Sequence, residues 1–175
     1  MSTLPPEFSM FKMSEDQQSL MKKDFEFVLA NVDFSRTEQF ERVVAHRKQA
    51  SGIYFWVMRH NESESLFRIY IGKTKSLSSR LQNYFGEFQP HSTNDFKLRV
   101  FQSYMSTVAP SAALDLIFSP KREEQLVRAE NEAIKIFDPL LNRRQLATAD
   151  SRAALQNAFS VFYRSALDGL LKSAS

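Results

Sequence analysis

The chain has 175 residues, 43% hydrophobic and 25% charged, with 16 Phe but only 4 Gly and 6 Pro, which suits one domain with its own core and excludes a linker-rich or disordered chain. The absence of Cys excludes a disulfide framework, a thiol nucleophile and a thiolate zinc site, so any metal must be held by oxygen or imidazole. No apolar run reaches the roughly 18 residues a membrane span needs, Met1–Pro6 lacks a basic-then-apolar signal pattern, and the expectation is an intracellular, cytoplasmic protein with no membrane partner. A net charge of +3 is too small to mark a nucleic-acid binder by itself.

Residues 1–12 read as a flexible start. Ser14-Glu15-Asp16-Gln17 has capping-box spacing and predicts a helix to about Ala30 through Leu20, Met21, Phe27 and Val28. Ser35-Arg36-Thr37-Glu38 repeats the signal, and Phe40, Val43 and Val44 carry a second helix to near Gln49. Two β-rich runs follow, Ile53–Met58 and Leu66–Ile71, joined by a polar loop at Arg59–Ser65, which reads as a hairpin. Pairing Ile53 with Ile71, Phe55 with Ile69 and Val57 with Phe67 puts apolar residues opposite one another on one face, and sets Tyr54 opposite Tyr70 on the other.

Ser76 can cap a helix in which Leu77, Leu81, Tyr84 and Phe85 form an apolar stripe, with Arg80 on its flank. Beyond Pro90, Asn94 or Asp95 can cap a helix whose apolar face is Phe96, Val100, Phe101, Tyr104 and Met105. Leu114, Leu116 and Phe118 alternate as a third strand. Ser119-Pro120 reads as a helix start with Pro at its first position, and Pro139 stops that helix near Asp138. Leu155, Ala158, Phe159, Phe162, Ala166, Leu167 and Leu170 mark a C-terminal amphipathic helix that begins near Asp150.

Several residues stand out chemically. Glu130 falls in the middle of the stripe formed by Leu126, Ala133 and Phe137, where a carboxylate is costly unless paired. The bland reading is a salt bridge, for example with Arg80 or Lys73. Positive charge gathers at Lys73, Lys75 and Arg80, at Lys121 and Arg122, and at Arg143 and Arg144, either as a phosphate-contacting surface or as an ordinary solvated one. Tyr54 and Tyr70 are either site residues or half-buried strand aromatics. His46, His60 and His91 make no pair at helical ligand spacing and read as surface residues.

The ordered set Gly52-Ile53-Tyr54, Tyr70-Ile71-Gly72, Arg80, Tyr84, Glu130 and Asn142 resembles the active site of GIY-YIG nucleases, in particular the nuclease domain of the excision-repair protein UvrC and stand-alone phage-type endonucleases. Arg80 stands 8 residues beyond Gly72, Tyr84 stands 4 beyond Arg80, and Asn142 stands 12 beyond Glu130. The resemblance covers about residues 51–144. It implies a nuclease core at 51–145, with 1–50 as a helical N-terminal extension and 146–175 as a C-terminal helix on or beside the core. The implied fold is α+β, a small, mainly antiparallel sheet of about three strands flanked by helices.

The same resemblance implies a magnesium-dependent DNA endonuclease, with manganese as a substitute ion and Glu130 as the metal ligand. Tyr54 would act as or orient the general base, Tyr70 would bond the phosphate or the water, and Lys73 would sit beside the base. Arg80 would grip phosphate, Tyr84 would be the helix aromatic, Asn142 would hold the geometry, and Lys75, Arg143 and Arg144 would touch DNA. Two departures from the pattern are a hairpin with 15 residues between Tyr54 and Tyr70, longer than usual, and a long interval from Arg80 to Glu130. The alternatives are a non-catalytic nucleic-acid-binding or partner-docking module on the same fold and a repair accessory docking through the C-terminal helix. Oligomeric state is left open.

Overall fold

A computed structural model describes residues 6–47, 50–60, 64–85, 98, 101–103, 105–107 and 109–142. Its centre is an antiparallel four-stranded sheet in the order β1-β4-β2-β3, with β1 at Glu26–Leu29, β2 at Gly52–His60, β3 at Ser65–Thr74 and β4 at Ala112–Pro120. The run Ile53-Tyr54-Phe55-Trp56-Val57-Met58 has no polar residue because β2 is covered on both faces; all six side chains are buried. Ile53, Phe55 and Val57 join Ile71 and Ile117 against Met21 of α1 (Glu15–Asp24) and the stripe Leu126, Ala133, Ile134 and Phe137 of α4 (Leu126–Phe137). Tyr54, Trp56 and Met58 face the other way. They meet Leu77 and Leu81 of α3 (Leu77–Gln82), Val43 of α2 (Thr37–Arg47), and Phe8, Phe34 and Phe101. Burying a ring such as Phe55, fully enclosed, contributes roughly 1.5–3 kcal/mol.

The sheet edge at β3 is covered by chain from both ends of the described region. Met13 N–H donates to Leu66 C=O at 2.7 Å, Leu140 to Arg68 at 3.1 Å and Leu141 to Ile69 at 2.9 Å. Arg68 adds a bond from Nε to Phe11 C=O at 3.1 Å. These contacts occupy backbone groups that would otherwise offer a pairing template.

Several expectations are met. Ser14 caps α1 in a full capping box, Ser76 caps α3, and α4 ends at Phe137 with Asp138 in the left-handed region just before Pro139. The α+β fold with a small antiparallel sheet flanked by helices is also as expected. Other expectations are corrected. The sheet has four strands against about three, because α1 stops at Asp24 and the chain becomes extended. Phe25 leaves the helix to pack edge-on against Phe55 and Phe137, at 5.7 and 6.1 Å between ring centroids, and the next residues pair with β4. Tertiary pairing thus overrides the helical pattern expected to run on to about Ala30. Residues 6–11, expected to be flexible, form a 3-10 turn pinned by buried Phe8 and Phe11.

The helix expected to begin at Ser119-Pro120 begins later. Pro120 is the last residue of β4, opposite Gly52, and Lys121 N–H still donates to Ser51 C=O at 3.0 Å. A terminal strand position tolerates the missing N–H of proline. Helical structure starts with a 3-10 turn at Glu123–Gln125. His60, expected on the surface, is 6% exposed because β2 extends to it, and its Nε2 lies 3.4 Å from Ser111 Oγ. The side chains of His46 and His91, the helix start at Asn94 or Asp95 and the C-terminal helix from Asp150 fall outside the described residues. Phe101 and Met105 of the expected stripe are buried.

Candidate active site

The hairpin register brings the tyrosines to their positions, and from Gly52 to Trp56 it is offset by two residues from the pairing expected. Tyr54 lies opposite Gly72, Phe55 opposite Ile71 and Trp56 opposite Tyr70; then a bulge intervenes and Val57 lies opposite Arg68. Beyond the bulge the offset is one, and Phe67 and Ile69, expected on the Ile71 face, pack with Tyr54, Trp56 and Met58 instead. From Gly52 to Trp56 a shift of two preserves every residue's face, so apolar alternation fits either pairing equally well there. Glycine separates them. A Cβ on Gly72 would stand 2.3 Å from Tyr54 Oη and 2.4 Å from its Cζ, and one on Gly52 would stand 2.5 Å from Phe118 Cζ. Each glycine is the floor on which an aromatic ring lies. Tyr54 and Tyr70 are therefore diagonal neighbours, not directly opposed, with centroids 6.1 Å apart and planes at 50°.

Arg80 reaches this pair from α3. Its Nε donates to Tyr54 Oη at 3.0 Å and its Nη2 to Tyr84 Oη at 3.2 Å. The guanidinium carbon lies 5.8 Å from the Tyr54 ring centroid and 5.2 Å from that of Tyr84, so two phenols hold it by hydrogen bonds and by their faces. Tyr84 comes just after α3, its N–H bonded to Leu81 C=O at 2.9 Å, and stacks on Phe34 at 5.6 Å. Tyr54 is 1% exposed and Tyr84 fully enclosed; Tyr70 and Arg80 are half-buried.

Burial pushes the Tyr70 phenol well above its ordinary range; the Tyr54 phenol and the Glu130 carboxylate add to this while Arg80 opposes it. Tyr84 is pushed up by burial first and then by Tyr54, again against Arg80. Both phenols hold their protons at neutral pH and act there as hydrogen-bond donors or neutral acceptors, not as phenolates.

Glu130 forms an ion pair with Lys73, which selects Lys73 over Arg80 as its cation. Lys73 follows Ile71 by two strand positions and shares its face, the one packed on α4, whereas Tyr54, Tyr70 and Arg80 belong to the other. The carboxylate nonetheless acts electrostatically on Tyr70, so the two groups of residues meet around β3. The Glu130 side chain is 18% exposed and that of Lys73 40%. Lys75 pairs with Glu123 at 3.1 Å on the open surface. Among the described residues no three His, Asp or Glu side chains gather as a metal cluster.

Asn142 is 8% exposed and clamps the backbone of Ile71, accepting from its N–H and donating to its C=O, both at 2.9 Å. An amide has one acceptor and two donors, so it replaces a neighbouring strand at the middle of Tyr70-Ile71-Gly72. Leu140 and Leu141, which extend this pairing, were not singled out in the sequence; nothing local marks them, and only Asn142 and Pro139 hinted at a role here. Arg143 and Arg144 lie outside the described residues. Tyr54, Tyr70, Tyr84 and Arg80 thus come together, Lys73 joins Glu130, and Lys75 stands apart from both. No protein-family model, no curated protein and no solved structure matches the chain.

Proposed function

We propose that the chain is a magnesium-dependent DNA endonuclease that hydrolyses phosphodiester bonds at the site around Arg80. The observation that carries this reading is the guanidinium held by the phenols of Tyr54 and Tyr84, beside half-buried Tyr70. An arginine whose plane is fixed before substrate arrives can meet a phosphate with its fork already oriented, and it stabilises charge that develops in the transition state. The same residues carry the motif resemblance.

Magnesium fits the donor set, because it keeps several waters and needs only one or two carboxylates besides phosphate oxygens. Glu130 would hold it, on condition that Lys73 gives way. Its chemistry there is counter-charge for the phosphate and acidification of water. Tyr70, protonated at neutral pH, donates a hydrogen bond to the phosphate or to the attacking water. Tyr54 accepts a bond from Arg80 and so keeps the guanidinium plane fixed; a water that reaches the same phenol oxygen would be oriented there for attack. Lys73, once released from Glu130, supplies a second cation beside the phosphate.

A second reading is favoured by one observation. Glu130 is neutralised by Lys73 and Tyr54 is sealed from solvent, an arrangement equally suited to a non-catalytic module that binds nucleic acid or a partner. Incubating the purified chain with supercoiled plasmid, with and without magnesium, separates the two. Under the nuclease reading the plasmid is nicked or linearised, chelator stops it, and Glu130→Gln abolishes cutting while urea unfolding stays near wild type, since the amide can still accept from Lys73. Binding without cleavage would select the module, and near wild-type cutting by Glu130→Gln would remove Glu130 from the chemistry.

A further inference from the structure

The Lys73–Glu130 pair joins the two residues that the nuclease reading needs for different partners. A carboxylate that is to hold a hard cation carries an ammonium ion, and an ammonium ion that is to face phosphate is held by a carboxylate. The pair is neither locked in the interior nor freely solvated: Glu130 is 18% and Lys73 40% exposed at the side chain. Such a pair is strong enough to bias occupancy and weak enough to open, since partly exposed pairs contribute modestly. The two ends are also anchored separately. Glu130 rides on α4, packed through Ala133 and Phe137, while Lys73 lies at the end of β3. Breaking the contact needs only a lysine side-chain rotation, with no change of backbone.

We propose that Lys73 is a latch on Glu130 which makes metal and phosphate binding mutually reinforcing. In the free protein the Lys73 ammonium occupies the carboxylate and lowers its affinity for a divalent ion. A DNA phosphate draws the ammonium away and exposes the carboxylate; a divalent ion at the carboxylate frees the ammonium for phosphate. Each ligand thus removes the competitor of the other, and the coupling is reciprocal by linkage. The inference rests on the reading of Glu130 as the metal ligand, and its consequence is a protein that loads its ion on DNA instead of in free solution.

The test is Mn2+ binding, followed by the electron paramagnetic resonance signal of free ion and independent of turnover. Removing the latch in Lys73→Met should tighten binding about threefold to fivefold relative to wild type. Lys73→Arg, which keeps a cation on the carboxylate, should stay within about twofold. Lys75→Met removes an equal charge two residues away whose partner is Glu123, and should change affinity less than Lys73→Met. Adding a phosphorothioate duplex should strengthen Mn2+ binding to wild type by a larger factor than to Lys73→Met. Equal affinity in wild type and Lys73→Met, or equal effects at Lys73 and Lys75, overturns the latch. Mn2+ binding that survives Glu130→Gln unchanged overturns the metal-ligand reading itself, a separate outcome.

Discussion

Gly72→Ala should destabilise this protein, against the ordinary expectation for such a change. Replacing glycine in an extended segment normally gains about 0.4–1 kcal/mol by restricting the unfolded chain. Here the added carbon would sit 2.3 Å from Tyr54 Oη and 2.4 Å from Cζ, more than 1 Å inside the roughly 3.5–4.0 Å at which such atoms attract. The ring has no room to retreat, because Tyr54 is 1% exposed and its hydroxyl is bonded to Arg80 at 3.0 Å. Overpacking of this kind costs about 1–3 kcal/mol. Weakening the bond to a charged donor adds up to about 1.5–3 kcal/mol, so a net loss of about 1.5–5.5 kcal/mol remains after the entropic gain. Urea unfolding with a fixed m-value measures it. Making the same change in a Tyr54→Leu background isolates the cause: without the ring, the cost of Gly72→Ala should fall below about 1 kcal/mol. A neutral or stabilising Gly72→Ala, or an equal cost in both backgrounds, would refute the view that glycine is there to receive the tyrosine.

Three further outcomes are expected. Under the proposed nuclease function, Arg80→Lys should lower the single-turnover cleavage rate on the order of 10²-fold while DNA affinity changes less than about threefold, whereas Lys75→Ala should chiefly weaken binding and reduce its salt dependence; mild, equal effects at both positions would remove Arg80 from the chemistry. Asn142→Ala leaves the Ile71 N–H and C=O without their partners and should cost about 2–4 kcal/mol in urea unfolding; a cost under about 0.5 kcal/mol would mean that water replaces the clamp. Tyr70 and Tyr84 have raised folded values, so above their unfolded value near pH ~10 the unfolded chain binds fewer protons than the folded one. Stability should therefore be full at neutral pH and fall as pH rises beyond ~10, with a shallower fall in Tyr84→Phe, as thermal melts across that range would reveal.

The local features of this chain were legible in its sequence because they depend on neighbours along the chain. The capping serines Ser14 and Ser76, the stripe Leu77, Leu81, Tyr84 and Phe85, the stop at Pro139 and the anomaly of Glu130 follow from helical periodicity and from the cost of an unpaired carboxylate. The ordered tripeptides with Arg80, Tyr84, Glu130 and Asn142 likewise single out residues far apart in the chain, of which Tyr54 and Tyr84 bond the Arg80 guanidinium and Tyr70 lies beside Tyr54.

What needed the tertiary structure was every choice between patterns that look alike from within one segment. From Gly52 to Trp56 the hairpin register could slip by two without moving any side chain to the other face, and there the collision between the Tyr54 ring and a Cβ across the strand distinguishes Gly72 from Tyr70 as its partner; the bulge after Trp56, which sets Phe67 and Ile69 on the face of Tyr54, has no mark in the alternation. Residues 26–29 fit a helical stripe until the open edge of β4 offers a ladder. Pro120 resembles a helix start until Gly52 is set opposite it. Glu130 had two candidate cations, and the packing of α4 on the Ile71 face brings it to Lys73 while Arg80 is held on the other face by Tyr54 and Tyr84. Each of these depends on atoms far apart in the chain, whose approach is set by sheet pairing and close packing, not by local preference.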